Sequence, residues 1–284
     1  MENLSRQNIK KRFPFALSIR PYLQDHHLEG KAVLPAVEAL AFLALSIKSQ
    51  YPHAFLNHQL HASFSRLLVI PPKGKTLDTQ VEMDEDPSGI NAALLTSINI
   101  QNTGIRRNLE HTRVTFSQNM LLPKPGMSFQ DASKLDGNCI QVSAASIYRD
   151  LIPFGTSYQN IIGDLSVSPQ GALAHISGGT TANNILLGSP FVLDATMHAT
   201  CVWGQRFVDT VLFPVGFNER ILYKLTHQQA TYLVRIVPVN LLCKPLIFNA
   251  WIFDQQEELC EQICGLQMQD IFGGRIKPPA WIKE

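Results

Sequence analysis

The chain has 284 residues, 45% hydrophobic and 17% charged, with a formal net charge of +1. That length fits one large domain or two ordinary ones with material for a core, and the near-zero charge argues against general attraction to nucleic acid or membrane. The start Met1-Glu2-Asn3-Leu4-Ser5-Arg6-Gln7 lacks a signal-peptide apolar core, no apolar run reaches spanning length, and the five cysteines are odd in number without CxxC spacing, so a reduced, cytoplasmic protein is expected.

In chain order, residues 35–47 are apolar nearly all round, the pattern of a helix buried on most sides. Strands are expected at 60–64, 66–70, 91–100 and 109–117, with turns at 84–89 and 102–104. Residues 120–137, rich in proline and glycine, form the best linker. A short helix at 143–151, strands at 161–168 and 171–177 and a second apolar helix at 191–207 follow. Strands at 212–217, 220–226, 230–237, 245–253 and 259–268 close the chain. Each half therefore reads as one buried helix wrapped by an antiparallel sheet. The expected class is α+β, a hot-dog arrangement used twice: an N-terminal unit over 1–120, a linker over 121–138 and a C-terminal unit over 139–284.

Two motifs carry chemistry. Near the first helix, His26, Gly30 and Pro35 stand in fixed order. Pro35 fixes φ at a helix entrance, and Gly30 leaves an N–H uncovered by any Cβ. His26 can act as a base on whatever that N–H holds. On the second helix, Asp194 and His198 lie one turn apart and share a face. If the two helices lie side by side, His26 and Asp194 face each other across an apolar groove. A base and an acid so placed suit loss of water from a β-hydroxyacyl thioester. The thioester carbonyl must be polarised as the α-proton leaves, a task for a backbone N–H such as that of Gly30. Asp194 needs apolar surroundings to hold a proton near neutrality, since its free pKa is about 3.9. Phe191, Val192, Leu193, Met197 and Val202 supply them in sequence.

Taken singly, these residues have plainer readings. His26 reads as a loop histidine, Asp194 as a helix N-cap and His198 as a satisfied core histidine. His53, His58 and His61 share no clean face with a carboxylate, so no zinc site is expected. Arg106-Arg107 reads as a solvated hairpin tip, with contact to an acidic carrier protein as the minor reading.

The chain resembles the dehydratase domains of polyketide and fatty acid synthases. His26-xxx-Gly30-xxxx-Pro35 fits that family's HxxxGxxxxP motif, and Asp194-xxx-His198 fits its DxxxQ/H motif after Pro190-Phe191-Val192-Leu193. Leu212-Phe213-Pro214-Val215 and 263–268 are further echoes. The family's YGPxF is represented by Phe154-Gly155-Thr156-Ser157-Tyr158, which loses the first tyrosine hydroxyl and the proline. The resemblance implies a double hot-dog hydro-lyase with His26 as base, Asp194 as acid and His198 in support. It implies substrate contacts from Gly30, Pro35, Phe154, Gly155 and Tyr158. No metal or organic cofactor is implied. The expected partner is an acyl thioester on an acyl carrier protein, and a homodimer is among the assemblies it allows. Rival readings keep the fold: a double-bond isomerase or product-template-like aldol cyclase with the same dyad, or a non-catalytic acyl-binding protein.

Overall fold

The computed structural model describes residues 10–99, 106–180 and 186–284. In the first half these form β1 (Lys11–Ser18), β2 (His27–Leu28), β3 (Lys31–Ala32), α1 (Ala36–Gln50), β4 (His58–Ser63), β5 (Thr76–Asp86), β6 (Gly89–Asn99) and β7 (Arg106–Phe116). The second half opens with the short helices α2 (Phe129–Ala132) and α3 (Ala144–Ser146) on either side of β8 (Ile140–Ser143). It continues with β9 (Ile161–Ser168), β10 (Gly171–Ser177) and α4 (Pro190–Phe207). The strands β11 (Phe213–Leu222), β12 (Thr231–Asn240), β13 (Leu246–Phe253) and β14 (Leu259–Gln269) complete it.

The fold is a double hot dog. α1 packs on β6 and β7, α4 packs on β9, β10, β11 and β12, and the two helices touch each other. The halves' sheets meet edge to edge, because β4 pairs antiparallel with β11, with Ser63 opposite Gly216 and His58 opposite Ile221. The result is one 12-stranded sheet in the order β1-β5-β6-β7-β4-β11-β14-β13-β12-β10-β9-β8. Buried and half-buried side chains add polar contacts across the junction. His58 Nε2 lies 2.7 Å from Glu219 Oε1, and buried Arg220, which donates to Glu261 Oε2 at 2.7 Å, reaches Gln59 Oε1 at 3.5 Å.

α4 is buried along every residue from Pro190 to Gln205. Pro190 at its first turn needs no N–H partner. The β-branched Thr196 and Thr200 are tolerated because their hydroxyls donate to the carbonyls of Val192 (2.8 Å) and Thr196 (2.9 Å), so no buried donor is orphaned. α1 is rich in alanine and leucine, strong helix formers, and buries Leu40, Leu43 and Ile47 completely.

The elements differ from expectation at a few points. The expected strand at 66–70 is reduced to the bridge Val33–Val69 plus the bonds Leu34 N–H to Leu68 O and Ile70 N–H to Ala32 O, each 2.8 Å. The strands expected at 212–217 and 220–226 are one strand, β11, with a bulge between Pro214 and Gly216. β1 and β5 were not foreseen: Pro14 interrupts the Phe13/Phe15/Leu17 alternation, and acidic residues crowd β5. Within 121–138, α2 packs Ala132 with Trp251 and Phe253, and Gly126 N–H donates to Gln262 Oε1 at 2.8 Å. The turn expected at 102–104 lies outside the described residues, as does Ile100. Among the described residues no helix is long and apolar enough to cross a membrane.

Candidate active site

His26 follows a short helical turn (Pro21–Asp25) and opens the β2–β3 hairpin. Glu29 and Gly30 form its two-residue turn with φ of +49° and +75°. Positive φ at both central residues matches the right-handed twist of the strands, and Gly30 adopts it without strain. A Cβ at Gly30 would meet nothing within 4 Å, so its backbone faces open space. At the hairpin base, Val33 N–H donates to His26 O at 2.9 Å, while His26 Nδ1 lies 3.0 Å from Val33 O. A carbonyl can only accept, so Nδ1 carries the proton and Nε2 keeps a free lone pair. Burial lowers the His26 pKa below the ordinary 6.5, outweighing the opposing pull of Asp194. His26 is thus a neutral base at neutral pH.

Asp194 projects from the second turn of α4 and is 4% exposed. Its Oδ1 lies 4.0 Å from His26 Nε2, and its Oδ2 lies 2.9 Å from His198 Nε2. The second contact is short but poorly aligned, and neither atom has a well-directed hydrogen-bond partner. Behind His198, the Tyr148 hydroxyl accepts from Ile161 N–H at 2.9 Å and stands 3.5 Å from His198 Nδ1. Burial pushes the Asp194 carboxyl up, but the charges of His198 and then His26 outweigh it and hold the group below the usual carboxylate range. This corrects the expectation that apolar neighbours alone would let Asp194 hold a proton. The apolar setting is present, yet the paired imidazoles decide the direction. His26 and Asp194, 4.0 Å apart and both buried, titrate as a coupled pair, so the proton that one holds depends on the other.

The three side chains border a cavity of about 530 Å³ that runs between the halves. Val33, Leu34, Ala39, Leu68 and Leu94 line it from the first half; Leu151, Ile152, Met197, Cys201 and Leu212 line it from the second. Of the expected substrate contacts, Gly30 and Phe154 line the cavity. The Phe154 ring centroid lies 4.3 Å from that of His26 and 5.2 Å from that of His198.

Pro35, Gly155 and Tyr158 stand behind the wall. Pro35 O receives the N–H groups of Glu38 and Ala39, both at 3.1 Å. Tyr158 is fully buried between His26 and Phe191, with no partner for its hydroxyl. Gly155 N–H donates to Asp25 O at 2.8 Å, and a Cβ there would come within 2.5 Å of Asp25 Cγ. Close approach therefore requires glycine.

Sequence reading missed the residues that set these positions. Asp25, next to His26, accepts from Ser157 N–H (2.9 Å) and Oγ–H (2.6 Å), tying the Phe154 loop to the His26 turn across the two halves. Tyr148 supports His198 from 50 residues away. Glu38, in the first turn of α1, is 2% exposed and receives the Tyr22 hydroxyl at 3.0 Å. Burial lifts its pKa to about 7. A carboxylate beside His26 and a charged residue inside an apolar helix were the available signals. Among the described residues no group of three or more His, Cys, Asp or Glu could hold a metal ion.

The sequence matches no family model and no curated protein. The fold matches solved dehydratase domains of polyketide synthases. The dehydratase domain from the CurJ module of curacin polyketide synthase superposes with a TM-score of 0.71 at 15% identity, over 95% of this chain and 93% of that one. The corresponding CurK domain gives 0.67 at 19% identity, over 98% and 96%. The dehydratase domain of a mycocerosic acid synthase-like polyketide synthase gives 0.67 at 15%, over 94% of each chain. The chain has the fold of this class of domain over nearly its whole length.

Proposed function

We propose that the protein is a hydro-lyase that converts a β-hydroxyacyl thioester, carried on an acyl carrier protein, into the enoyl thioester and water. The observation that carries this reading is the pair His26 Nε2 and Asp194 Oδ1, one from each half, 4.0 Å apart at the wall of an apolar cavity.

The reactive form has neutral His26 and a proton on Asp194. His26 Nε2 takes the α-proton, and the electron pair left behind forms the new double bond as the β-hydroxyl leaves. Asp194 gives its proton to that hydroxyl, which departs as water. The thioester oxygen carries developing charge in between, and the Gly30 N–H at the uncovered hairpin tip is the donor assigned to it. The site is left with an imidazolium and a carboxylate. The proton returns from Nε2 to Oδ1 across the 4.0 Å gap or through one water, restoring the starting form. His198, steadied by Tyr148, orients Asp194 by its Oδ2. Phe154 supplies an apolar wall where the related motif has a hydroxyl. The two hot-dog units are assigned to 1–120 and 139–284, joined by 121–138. All five cysteines are unpaired, in keeping with a reduced cytoplasmic setting.

His26→Ala and Asp194→Asn should each lower turnover of a β-hydroxyacyl carrier or pantetheine thioester by roughly a hundredfold to ten-thousandfold, the worth of a positioned base or acid. The assay reads loss or gain of water as a mass change on the thioester. A wild-type protein that binds acyl thioesters but leaves β-hydroxyacyl, enoyl and β-keto forms unchanged returns the acyl-binding reading instead.

A further inference from the structure

The mouth of the cavity carries one cation that the dehydration chemistry does not use. Among the described residues, Arg66 is the only arginine or lysine lining the cavity; it is exposed and takes part in no ion pair. Its neighbours are already matched. Glu110, on the adjoining strand β7, is held by Arg113 at 2.5 Å, and Glu29 at the hairpin tip by Arg275 at 3.5 Å. Arg66 therefore presents an unmet positive charge to whatever enters.

The backbone beneath it is fixed from three sides. Phe64 N–H donates to Val215 O (2.8 Å), Ser65 N–H to His111 O (3.0 Å) and Leu34 N–H to Leu68 O (2.8 Å). Arg66 O also faces His111 Nδ1 at 3.3 Å. The same segment bridges Val33, whose carbonyl holds His26, through Val69. Arg66 stands at a bend three residues before that bridge, at most about 10 Å away at ~3.3 Å per residue. A flexible arginine adds several ångströms more. The arm that joins a thioester sulfur to its phosphate in pantetheine cofactors spans on the order of 15 Å when extended, from bond lengths near 1.5 Å. A thioester placed at His26 thus brings its phosphate to the rim.

We propose that Arg66 forms an anion subsite at the cavity mouth that receives the 4′-phosphate of a phosphopantetheine arm, whether that arm is borne by a carrier protein or by coenzyme A. The proposal rests on the thioester reading of the site and names how the site tells a cofactor-borne thioester from a small one. The guanidinium meets the phosphate by charge-assisted hydrogen bonds from a planar fork, stronger than neutral ones.

The test compares phosphopantetheine with pantetheine by calorimetry on the wild-type chain and on Arg66→Ala and Arg66→Lys. Wild type should bind the phosphorylated arm roughly tenfold more tightly, the value of one partly exposed charge-assisted contact. Arg66→Ala should erase that preference without changing affinity for pantetheine, and Arg66→Lys should keep part of it. Coenzyme A and carrier-borne thioesters, run as substrates, separate the two sources of the phosphate. Arg66→Ala should leave kcat on an N-acetylcysteamine thioester, which has no phosphate, unchanged. Equal binding of both arms to wild type, no binding of either, or an equal loss for both in Arg66→Ala overturns the subsite. If turnover of the N-acetylcysteamine substrate persists in that case, the dehydratase reading stands alone. If instead no thioester is turned over but the Arg66-dependent phosphate preference is present, the subsite stands and the dehydratase reading falls.

Discussion

Each half of the molecule buries one carboxyl on its central helix, and the two behave in opposite ways. Glu38 on α1 is 2% exposed and Asp194 on α4 is 4% exposed, so burial is nearly the same. Burial raises Glu38 to about 7, with the Tyr22 hydrogen bond opposing and the charge of Asp194 adding to the rise. Burial also pushes Asp194 up, yet His198 and His26 bring it below the ordinary range. A phenol donates a hydrogen bond but does not become a cation, whereas an imidazole can. The partner, not the depth, decides whether a buried carboxyl holds a proton alone or shares it with a base. Only Asp194 lines the cavity.

The sharpest break of this comparison is in turnover. Glu38→Gln keeps an acceptor for the Tyr22 hydroxyl and touches no substrate, so kcat should stay within about tenfold, the limit of one neutral hydrogen bond. Asp194→Asn should lose a hundredfold or more by the same assay. Similar losses from both would mean that the two carboxyls act as one unit.

Stability separates them next. The folded Glu38 carboxyl binds its proton more tightly than the unfolded chain, whose value is the ordinary 4.5. Its contribution is therefore full below 4.5 and is lost as pH rises through about 7. Glu38→Gln removes that loss. Its gain over wild type should grow across this window and level off above it at about 3 kcal/mol, read from urea unfolding. A gain that does not change with pH sinks the assignment.

The His26 side depends on the seam in a way the Asp194 side does not. Gly155→Ala drives a Cβ into Asp25, which is tied to Ser157, and should destabilise the fold by about 1–3 kcal/mol, the usual toll of overpacking. Because the shift falls on the Phe154 loop against His26, the acid limb of the pH–rate profile should move as well. In wild type that limb should lie below 6.5, since burial lowers His26, and activity should fall as pH drops through it. A limb at or above 6.5 would place His26 in water. The smallest effect belongs to Phe154→Tyr, which restores a hydroxyl beside both histidines. It should change kcat by less than about tenfold, measured on the same thioester.

Much of this molecule was legible in the chain. The all-round apolar patterns at 35–47 and 191–207 fixed two buried helices, because a helix without a polar face has no stable place but a core. The ends of β9 and β10 followed from alternation bounded by glycine and serine. His26 could be grouped with Gly30, and Asp194 with His198, because local spacing carries local geometry: a two-residue turn, and one helical turn. Long-range pairing was not legible. The junction of β4 with β11, the docking of Asp25 on Gly155 and Ser157, and the support of His198 by Tyr148 join residues 50 to 163 positions apart. Nothing in the local pattern marks such partners. The direction of the Asp194 titration was decided the same way: sequence showed its apolar neighbours, but only the folded chain brings His26 from the other half to 4.0 Å. Charge interactions depend on distances in space, and those exist only once the two halves have closed on each other.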